Sequence, residues 1–145
     1  GLSKETAKFI ATAEETIVVT TPEPTSITDA YALIKMMHAM GHQPAFRLVV
    51  NRVIDDREGG QTADNIRQVA GKFLGIDIPV LGFIPDDANV LKAVRRQTPL
   101  AVAYPNSEAS RGIDRIASKF LLEERSAPTS RSFTGFMKRM MKLWS

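Results

Sequence analysis

The chain repeats one pattern: a short apolar run of strand-forming residues, a loop that carries Pro or Asn, and then a helix-like segment. The apolar runs lead into Thr21, Asn51, Pro85 and Pro105. Uninterrupted Val and Ile runs are typical of strands that are covered on both faces. Alternating strand and helix signals indicate βαβ units with right-handed crossovers. We therefore expect an α/β fold, a parallel sheet with flanking helices in which consecutive strands are neighbours.

The boundaries of these elements follow from capping and breaking residues. Ser26 and Asp29 match the S-x-x-D capping pattern, Asp87 is placed to cap a helix, and Gly41 and Gly75 are placed to end helices. The polar segment 55–60 is predicted to be flexible. Strands are predicted at about 16–21, at 46–53, up to residue 84 and at 100–104, and helices at 3–14, 26–40, from about 61 to 74, at 88–96 and at 107–124.

Loops that follow parallel strands are the expected place for ligands, because ligands bind beyond the carboxyl ends of the strands. Asn51 carries a carboxamide, whose donor and acceptor groups match the edge of adenine. An Asn that ends a strand or forms a turn is the alternative. Pro85 offers a flat apolar wall and a free carbonyl, and it equally fits a plain Pro-Asp turn.

Two segments resemble a known family. They are the run from Val18 to Tyr31, which includes the sequence S-I-T-D-A-Y, and Ile84-Pro85-Asp86. These motifs resemble MinD/ParA-type ATPases, especially the flagellar regulators of the FlhG type, over essentially the whole chain. The resemblance implies the carboxyl-terminal half of a P-loop NTPase domain. It also implies that Asn51, Arg52, Pro85 and Asp86 bind adenine, and that Thr21, Pro22 and Glu23 lie near the nucleotide or a dimer interface.

The P-loop signature, which ends in Gly-Lys-Ser/Thr, does not occur in this sequence. The Gly71-Lys72 pair is followed by Phe73, and Gly1-Leu2-Ser3 resembles the end of the family's Asp-x-x-Ala-Gly motif. We therefore expect the phosphate-binding half to be missing, so that no residue here is catalytic and this chain alone does not hydrolyse ATP. ATP and Mg are the cofactors that the resemblance implies for the intact protein, with neither bound tightly by this chain. The strand at 16–21 is then expected to leave an exposed apolar sheet edge.

Charge and composition argue against several classes of partner and location. Residues 125–145 hold five basic residues and no acid, while residues 1–124 hold 14 basic and 16 acidic residues. The acidic balance of the body argues against a DNA-binding surface, so we expect no nucleic-acid partner. There is no cysteine, and we expect no metal site. No signal peptide or run of about 18 apolar residues is visible, and we expect a cytoplasmic protein.

The last 21 residues differ from the rest of the chain in composition and charge. Residues 125–132 read as a linker, after a partial nucleotide-binding domain at 1–124. In residues 133–145 the apolar side chains fall within about 160° of a helical wheel and basic side chains occupy the opposite side. This pattern is typical of an interfacial membrane anchor. The predicted membrane-binding residues are Phe133, Phe136, Met137, Met140, Met141, Trp144, Lys138, Arg139 and Lys142.

The resulting expectation is a membrane-associated spatial regulator of flagella or of the division site. An anionic membrane at the inner face of the cell membrane, a homodimer, and the FlhF GTPase with flagellar switch proteins are the implied partners. The alternatives are a ParA-type DNA-partitioning ATPase, a biosynthetic enzyme on the same fold, and a nucleotide-independent interaction module. The tail could instead cover apolar surface of its own domain.

Overall fold

The computed structural model describes residues 15–41, 45–125, 137 and 140–143. The strands are β1 (Glu15–Thr20), β2 (Ala45–Val53) and β3 (Val80–Pro85). The helices are α1 (Pro24–Ala39), α2 (Asp56–Leu74), α3 (Ala88–Arg95), α4 (Leu100–Ala103) and α5 (Glu108–Arg125). The predicted helix at 3–14 lies outside the described residues.

The strands form a parallel sheet in the order β1-β2-β3. Val18 lies opposite Leu48, and Val50 lies opposite Phe83. Each pair of neighbouring strands is connected through a helix, α1 or α2, as parallel pairing requires. The predicted α/β class and the neighbouring order of consecutive strands are confirmed.

The main core lies between one face of the sheet and helices α1 and α2. Its largest fully buried side chains include Ile34, Met37, Leu48 and Ile66. The alternate side chains of the sheet face α5, because a Cβ at Gly82 would lie 2.8 Å from Cγ1 of Ile116. The sheet is therefore covered on both faces at β3, which explains the continuous apolar runs.

Helix α2 begins earlier than its composition indicates. Residues 56–60 form its first turns, because the Asp55 carboxylate accepts the N–H of Glu58 at 2.8 Å and Glu58 in turn accepts the N–H of Ile54 at 3.0 Å. This arrangement resembles a capping box, except that Glu58 accepts the N–H of the residue before the N-cap. The prediction of a flexible segment at 55–60 is wrong, and the Asp-x-x-Glu spacing carried the missed signal.

Helix α1 begins at Pro24 and not at Ser26. Proline suits the first helical position because its fixed φ matches the helix and its missing N–H needs no partner there. The Ser26 hydroxyl instead accepts the N–H of Thr21 and lies 2.9 Å from the Thr20 hydroxyl. Ser26 therefore holds the β1–α1 loop rather than capping the helix.

The predicted strand at 100–104 is wrong, since residues 100–103 form the single-turn helix α4. The Pro99 carbonyl accepts the N–H groups of Val102 and Ala103, and the Leu100 carbonyl accepts that of Tyr104. A short apolar run cannot be assigned to strand or helix by periodicity alone. The side chains of Ala101 and Val102 are exposed, unlike those of a central strand.

The two edges of the sheet differ. At β3, the ammonium group of Lys119 donates to the Val80 carbonyl at 2.8 Å, and Gly112 of α5 packs closely against the Phe83 carbonyl. Across the described residues β1 pairs with β2 alone, and its Ile17 and Val19 side chains are 43% and 57% exposed. This agrees with the predicted exposed apolar edge at β1.

Candidate functional site

Three loops meet at the carboxyl edge of the sheet, and an arginine connects them. The loops follow β1, β2 and β3 and carry Glu23, Arg52 and Asp86. The Arg52 guanidinium lies 3.8 Å from a Glu23 oxygen and 3.6 Å from an Asp86 oxygen. All three side chains are at least 60% exposed, so each ion pair contributes little stability. The contacts nevertheless show that the predicted loops form one surface.

Arg52 occupies an unusual backbone position. Its φ is +60°, in the left-handed region that few residues other than glycine adopt, and it forms a register irregularity between Asn51 and Val53. The carboxamide oxygen of Asn51 accepts the Arg52 N–H at 2.9 Å. Such backbone conformations cost about 1–3 kcal/mol and cluster at functional sites.

Asn51 and Pro85 lie at the ends of adjacent strands but are not paired with each other. Asn51 is opposite Ile84, and the irregularity at Arg52 places Val53 opposite Pro85. Asn51 is half-buried, and its carboxamide already has the turn-forming role that the sequence left open. The oxygen retains a second lone pair and the amide nitrogen is a donor, so the group remains chemically suited to a base edge.

A cleft of about 300 Å³ opens between the β1 and β2 loops. A second cavity of about 260 Å³ lies between the β2–α2 loop and α5, with Pro85 on its wall. Asn51 lines neither of them. The first cleft is lined by Thr21, Pro22, Glu23, Arg52, Ile54 and Glu58.

Asp87 has a larger role than its predicted capping of α3. One carboxylate oxygen accepts the N–H of Asn89 at 2.9 Å, which confirms the cap, and the other accepts the N–H of Ala109 in α5 at 3.0 Å. These bonds, first that to Ala109, lower the pKa of Asp87 below its ordinary value of 3.8. Asp87 thus fixes the loop after β3 between two helix N-termini. The contact with α5, 22 residues away, had no local sequence signal.

A second charged cluster lies at the opposite end of the strands and was not predicted. Arg47 of β2 is nearly buried and pairs with Glu15 of β1 at 3.2 Å and with Glu123 of α5. It connects both outer elements to the central strand. Its distance from the strand-end loops gives it a role in stability rather than in binding.

Metal binding is not indicated within the part of the chain that the structure describes. There, no group of three or more His, Cys, Asp or Glu side chains is arranged to hold an ion.

Only part of the predicted membrane-binding tail is described. Met140 is half-buried, Met137 and Met141 are 37% and 66% exposed, and Leu143 packs against the main core. No helix among the described residues is long and apolar enough to cross a membrane. Phe133, Phe136, Lys138, Arg139 and Trp144 lie outside the described residues.

The sequence of this chain is similar to those of known proteins. Residues 3–100 match the family described as the CobQ/CobB/MinD/ParA nucleotide binding domain. The antiactivator FleN of Pseudomonas aeruginosa is 35% identical over 119 residues, which cover 82% of this chain and 42% of FleN. The flagellum site-determining protein YlxH of Helicobacter pylori is 29% identical over 146 residues, which cover 98% of this chain and 49% of YlxH.

Among solved structures, the septum site-determining protein MinD of Pyrococcus horikoshii, in complex with Mg-ADP, superposes with a TM-score of 0.55. The two are 21% identical, and the match covers 74% of this chain and 41% of that protein. The chain thus spans less than half of the length of these relatives. The family match extends over more than half of the chain, and the fold is that of MinD. This chain belongs to the CobQ/CobB/MinD/ParA nucleotide-binding family and, within it, is MinD/FlhG-like.

Proposed function

We propose that this chain is the carboxyl-terminal part of a MinD/FlhG-like ATPase that acts as a spatial regulator of flagella or of the division site. The observation that carries the proposal is the Arg52 contact with Glu23 and Asp86, which joins three loops at the carboxyl edge of a parallel sheet. YlxH is named for determining the flagellum site and MinD for determining the septum site.

In this proposal the strand-end loops contribute the adenine end of a nucleotide site. Asn51, Arg52, Pro85 and Asp86 would contact the base, and Thr21, Pro22 and Glu23 would lie beside it. The family's P-loop signature is absent from the sequence, so the triphosphate and Mg would be held by residues that this chain does not contain. Free adenine nucleotide should therefore bind this chain only weakly.

The adenine proposal is tested by NMR titration of the chain with ADP and, separately, with GDP. ADP is expected to shift resonances of residues 51, 52 and 86 at millimolar concentrations, with smaller effects from GDP. Asn51→Asp is the decisive variant, because an oxygen can still accept the Arg52 N–H while the amide donor to the base is lost. Asn65→Ala, at an exposed position of α2, is the control. Equal shifts with ADP and GDP, or wild-type shifts in Asn51→Asp, would exclude this role.

We also propose that the tail is a reversible membrane anchor of a cytoplasmic protein. Each basic side chain near an anionic surface contributes about 1 kcal/mol to binding. The large apolar side chains add the free energy gained when their surface leaves water. Leu143 packs on the core, so the tail must leave part of its own domain before it inserts fully. A dimer would carry two tails and bind with higher avidity without any new contact.

Co-sedimentation with anionic vesicles tests the anchor. Phe136→Glu is expected to reduce binding at least about tenfold, because it places a charge on the apolar side of the tail. Phe73→Glu is the matched control, since Phe73 is 66% exposed on α2. If Phe136→Glu and Phe73→Glu sediment equally with the vesicles, the tail is not the anchor.

A further inference from the structure

Helix α3 places its large apolar side chains in solvent. Val90, Leu91 and Val94 are 41%, 54% and 64% exposed, while Ala93 is the buried residue of this helix. A surface helix ordinarily directs its apolar stripe at the core. Ala93 contributes only a methyl group to the core, so α3 carries an apolar stripe that the described part of the chain leaves exposed. The adjacent helix α4 adds Val102, which is 71% exposed.

The same helix carries a concentrated positive charge. Lys92, Arg95 and Arg96 lie within five residues and are all exposed. Residues 88–107 contain no acidic side chain, and the Arg96 guanidinium lies over the Tyr104 ring at 5.6 Å from its centroid. At 100° per residue the three aliphatic residues span about 100° of arc, and the three cations occupy a neighbouring arc of similar width. We call this combination of Val90, Leu91, Val94, Lys92, Arg95 and Arg96 the α3 surface.

We propose that the α3 surface is a second membrane contact, which lies on an anionic lipid surface with its aliphatic residues at the headgroup level. The proposal extends the membrane role proposed for the tail to a folded part of the domain, and the two contacts can fail independently. Lys and Arg attract anionic headgroups by about 1 kcal/mol each near the surface. Aliphatic side chains beside them gain by leaving water.

Three other occupants fit the α3 surface less well. A second copy that met this surface through a two-fold axis would place the cations of both copies together. Nucleic acid would pair with the cations but would leave the aliphatic residues in water. A protein partner needs about 800 Å² on each side for a stable complex, and an eight-residue helix is only about 12 Å long. A lipid surface requires no shape complementarity, and a small contact suffices when a second anchor adds avidity.

The first test measures co-sedimentation of the full chain with mixed phosphatidylglycerol–phosphatidylcholine vesicles and with phosphatidylcholine vesicles. Leu91→Glu/Val94→Glu is expected to weaken binding to the anionic vesicles about tenfold or more. Phe73→Glu/Leu121→Glu is the matched control, since it adds the same two charges at positions on α2 and α5 that are 66% and 58% exposed. The triple variant Lys92→Gln/Arg95→Gln/Arg96→Gln should weaken binding similarly. The equally charged control Lys35→Gln/Arg57→Gln/Lys72→Gln, on other exposed positions, should have a smaller effect.

The contribution of the tail is separated by repeating the series in a Phe136→Glu background. If the α3 variants weaken vesicle binding by the same factor in this background as in the wild type, the α3 surface contacts lipid independently of the tail. This result would support the α3 surface even if Phe136→Glu itself had no effect. If Leu91→Glu/Val94→Glu and Phe73→Glu/Leu121→Glu bind alike in both backgrounds, the α3 surface does not contact lipid and the proposal is overturned. It is equally overturned if the α3 variants bind vesicles normally but lose an acidic protein partner.

A direct readout uses the absence of native cysteine. Val94→Cys and Leu121→Cys each introduce a unique thiol for an environment-sensitive dye. The dye at position 94 is expected to shift its emission to the blue with anionic vesicles, while the dye at position 121 retains the emission it shows in water. An unchanged spectrum at position 94, under conditions in which the protein sediments with the vesicles, overturns the proposal.

Discussion

At the scale of single residues, the strand-end loops are held by side chains that bind backbone groups. Ser26 fixes the loop after β1, Asn51 the end of β2, and Asp87 the loop after β3. Each accepts a backbone N–H, which leaves little freedom for the loop between strand and helix. The loops that carry the proposed adenine site are thus positioned before any ligand arrives.

Asp87→Asn is expected to lower the free energy of unfolding by about 1–2 kcal/mol at neutral pH, because two helix N-termini lose a charged acceptor. The pKa of Asp87 is lower in the folded protein than its ordinary value of 3.8. Its contribution is therefore fully present above that value and is lost as the pH falls through the folded-state pKa. Urea unfolding at neutral pH and near pH 3 measures both effects.

The difference in the free energy of unfolding between wild type and Asp87→Asn should be smaller at the lower pH. Asp64→Asn, at an exposed position of α2, is the control and should change little at either pH. A pH-independent deficit in Asp87→Asn would show that the carboxylate charge does not contribute.

Arg52 allows a test of backbone strain. Glycine adopts positive φ without the steric cost that a Cβ brings, whereas the ion pairs of Arg52 are exposed and weak. Arg52→Gly is expected to be more stable than Arg52→Ala by about 0.5–1 kcal/mol. Both variants lose the same ion pairs, so their difference in urea unfolding isolates the backbone term. Equal stabilities would mean that the chain relaxes out of the left-handed conformation in Arg52→Ala.

At the scale of elements, the sequence predicts the alternation of strands and helices well because covered parallel strands have a distinctive apolar run. The prediction is wrong where a local sequence pattern is compatible with two structures. The run at 100–103 has too few residues to show a period, and Pro99 starts a helical turn there. The capping pattern predicts a helix that starts at Ser26, but the helix already begins at Pro24, with Glu23 at the N-cap position. The contacts between Asp87 and α5, and between Arg47 and Glu123, connect distant segments, so a single sequence offers no signal for them.

Two adjacent glycines in α2 give a matched prediction about helix packing. A Cβ at Gly59 would lie 2.7–2.9 Å from three ring atoms of Phe83, while one at Gly60 meets no atom within 4 Å. Gly60→Ala is expected to stabilise the protein by up to about 1 kcal/mol through helix propensity. Gly59→Ala gains the same propensity but overpacks the ring, and should be less stable than Gly60→Ala by about 1–3 kcal/mol.

Thermal and urea unfolding of both variants compare the two positions directly. A Phe83→Leu change in the Gly59→Ala background should recover part of the loss, because it removes the ring atoms that the new methyl group meets. If Gly59→Ala is as stable as Gly60→Ala, the ring of Phe83 does not pack on α2 as described.

At the scale of the whole molecule, β1 and β3 are the two edge strands of the described sheet, and they differ in how they are covered. Helix α5 packs over β3 through Gly112, and Lys119 of the same helix donates to the Val80 carbonyl. The described part of the chain offers no such cover at β1. A cavity of about 370 Å³, lined by Ile17, Val19, Ser26 and Leu33 among others, runs along that edge beside α1. The loops that carry the proposed adenine site thus lie on a sheet whose β1 edge, among the described residues, is free to pair with a further strand.

An open apolar edge predicts association of this chain with itself when it is studied alone. Val19→Lys is expected to lower the average mass measured by sedimentation velocity at high protein concentration, because a charge at a 57% exposed edge position opposes strand pairing. The variant should unfold at nearly the wild-type urea concentration, since the side chain is not part of the core. Leu121→Lys, with similar exposure on α5, separates an effect of the edge from an effect of net charge. If both variants reduce association equally, the β1 edge is not the contact, and charge alone governs the behaviour of the chain.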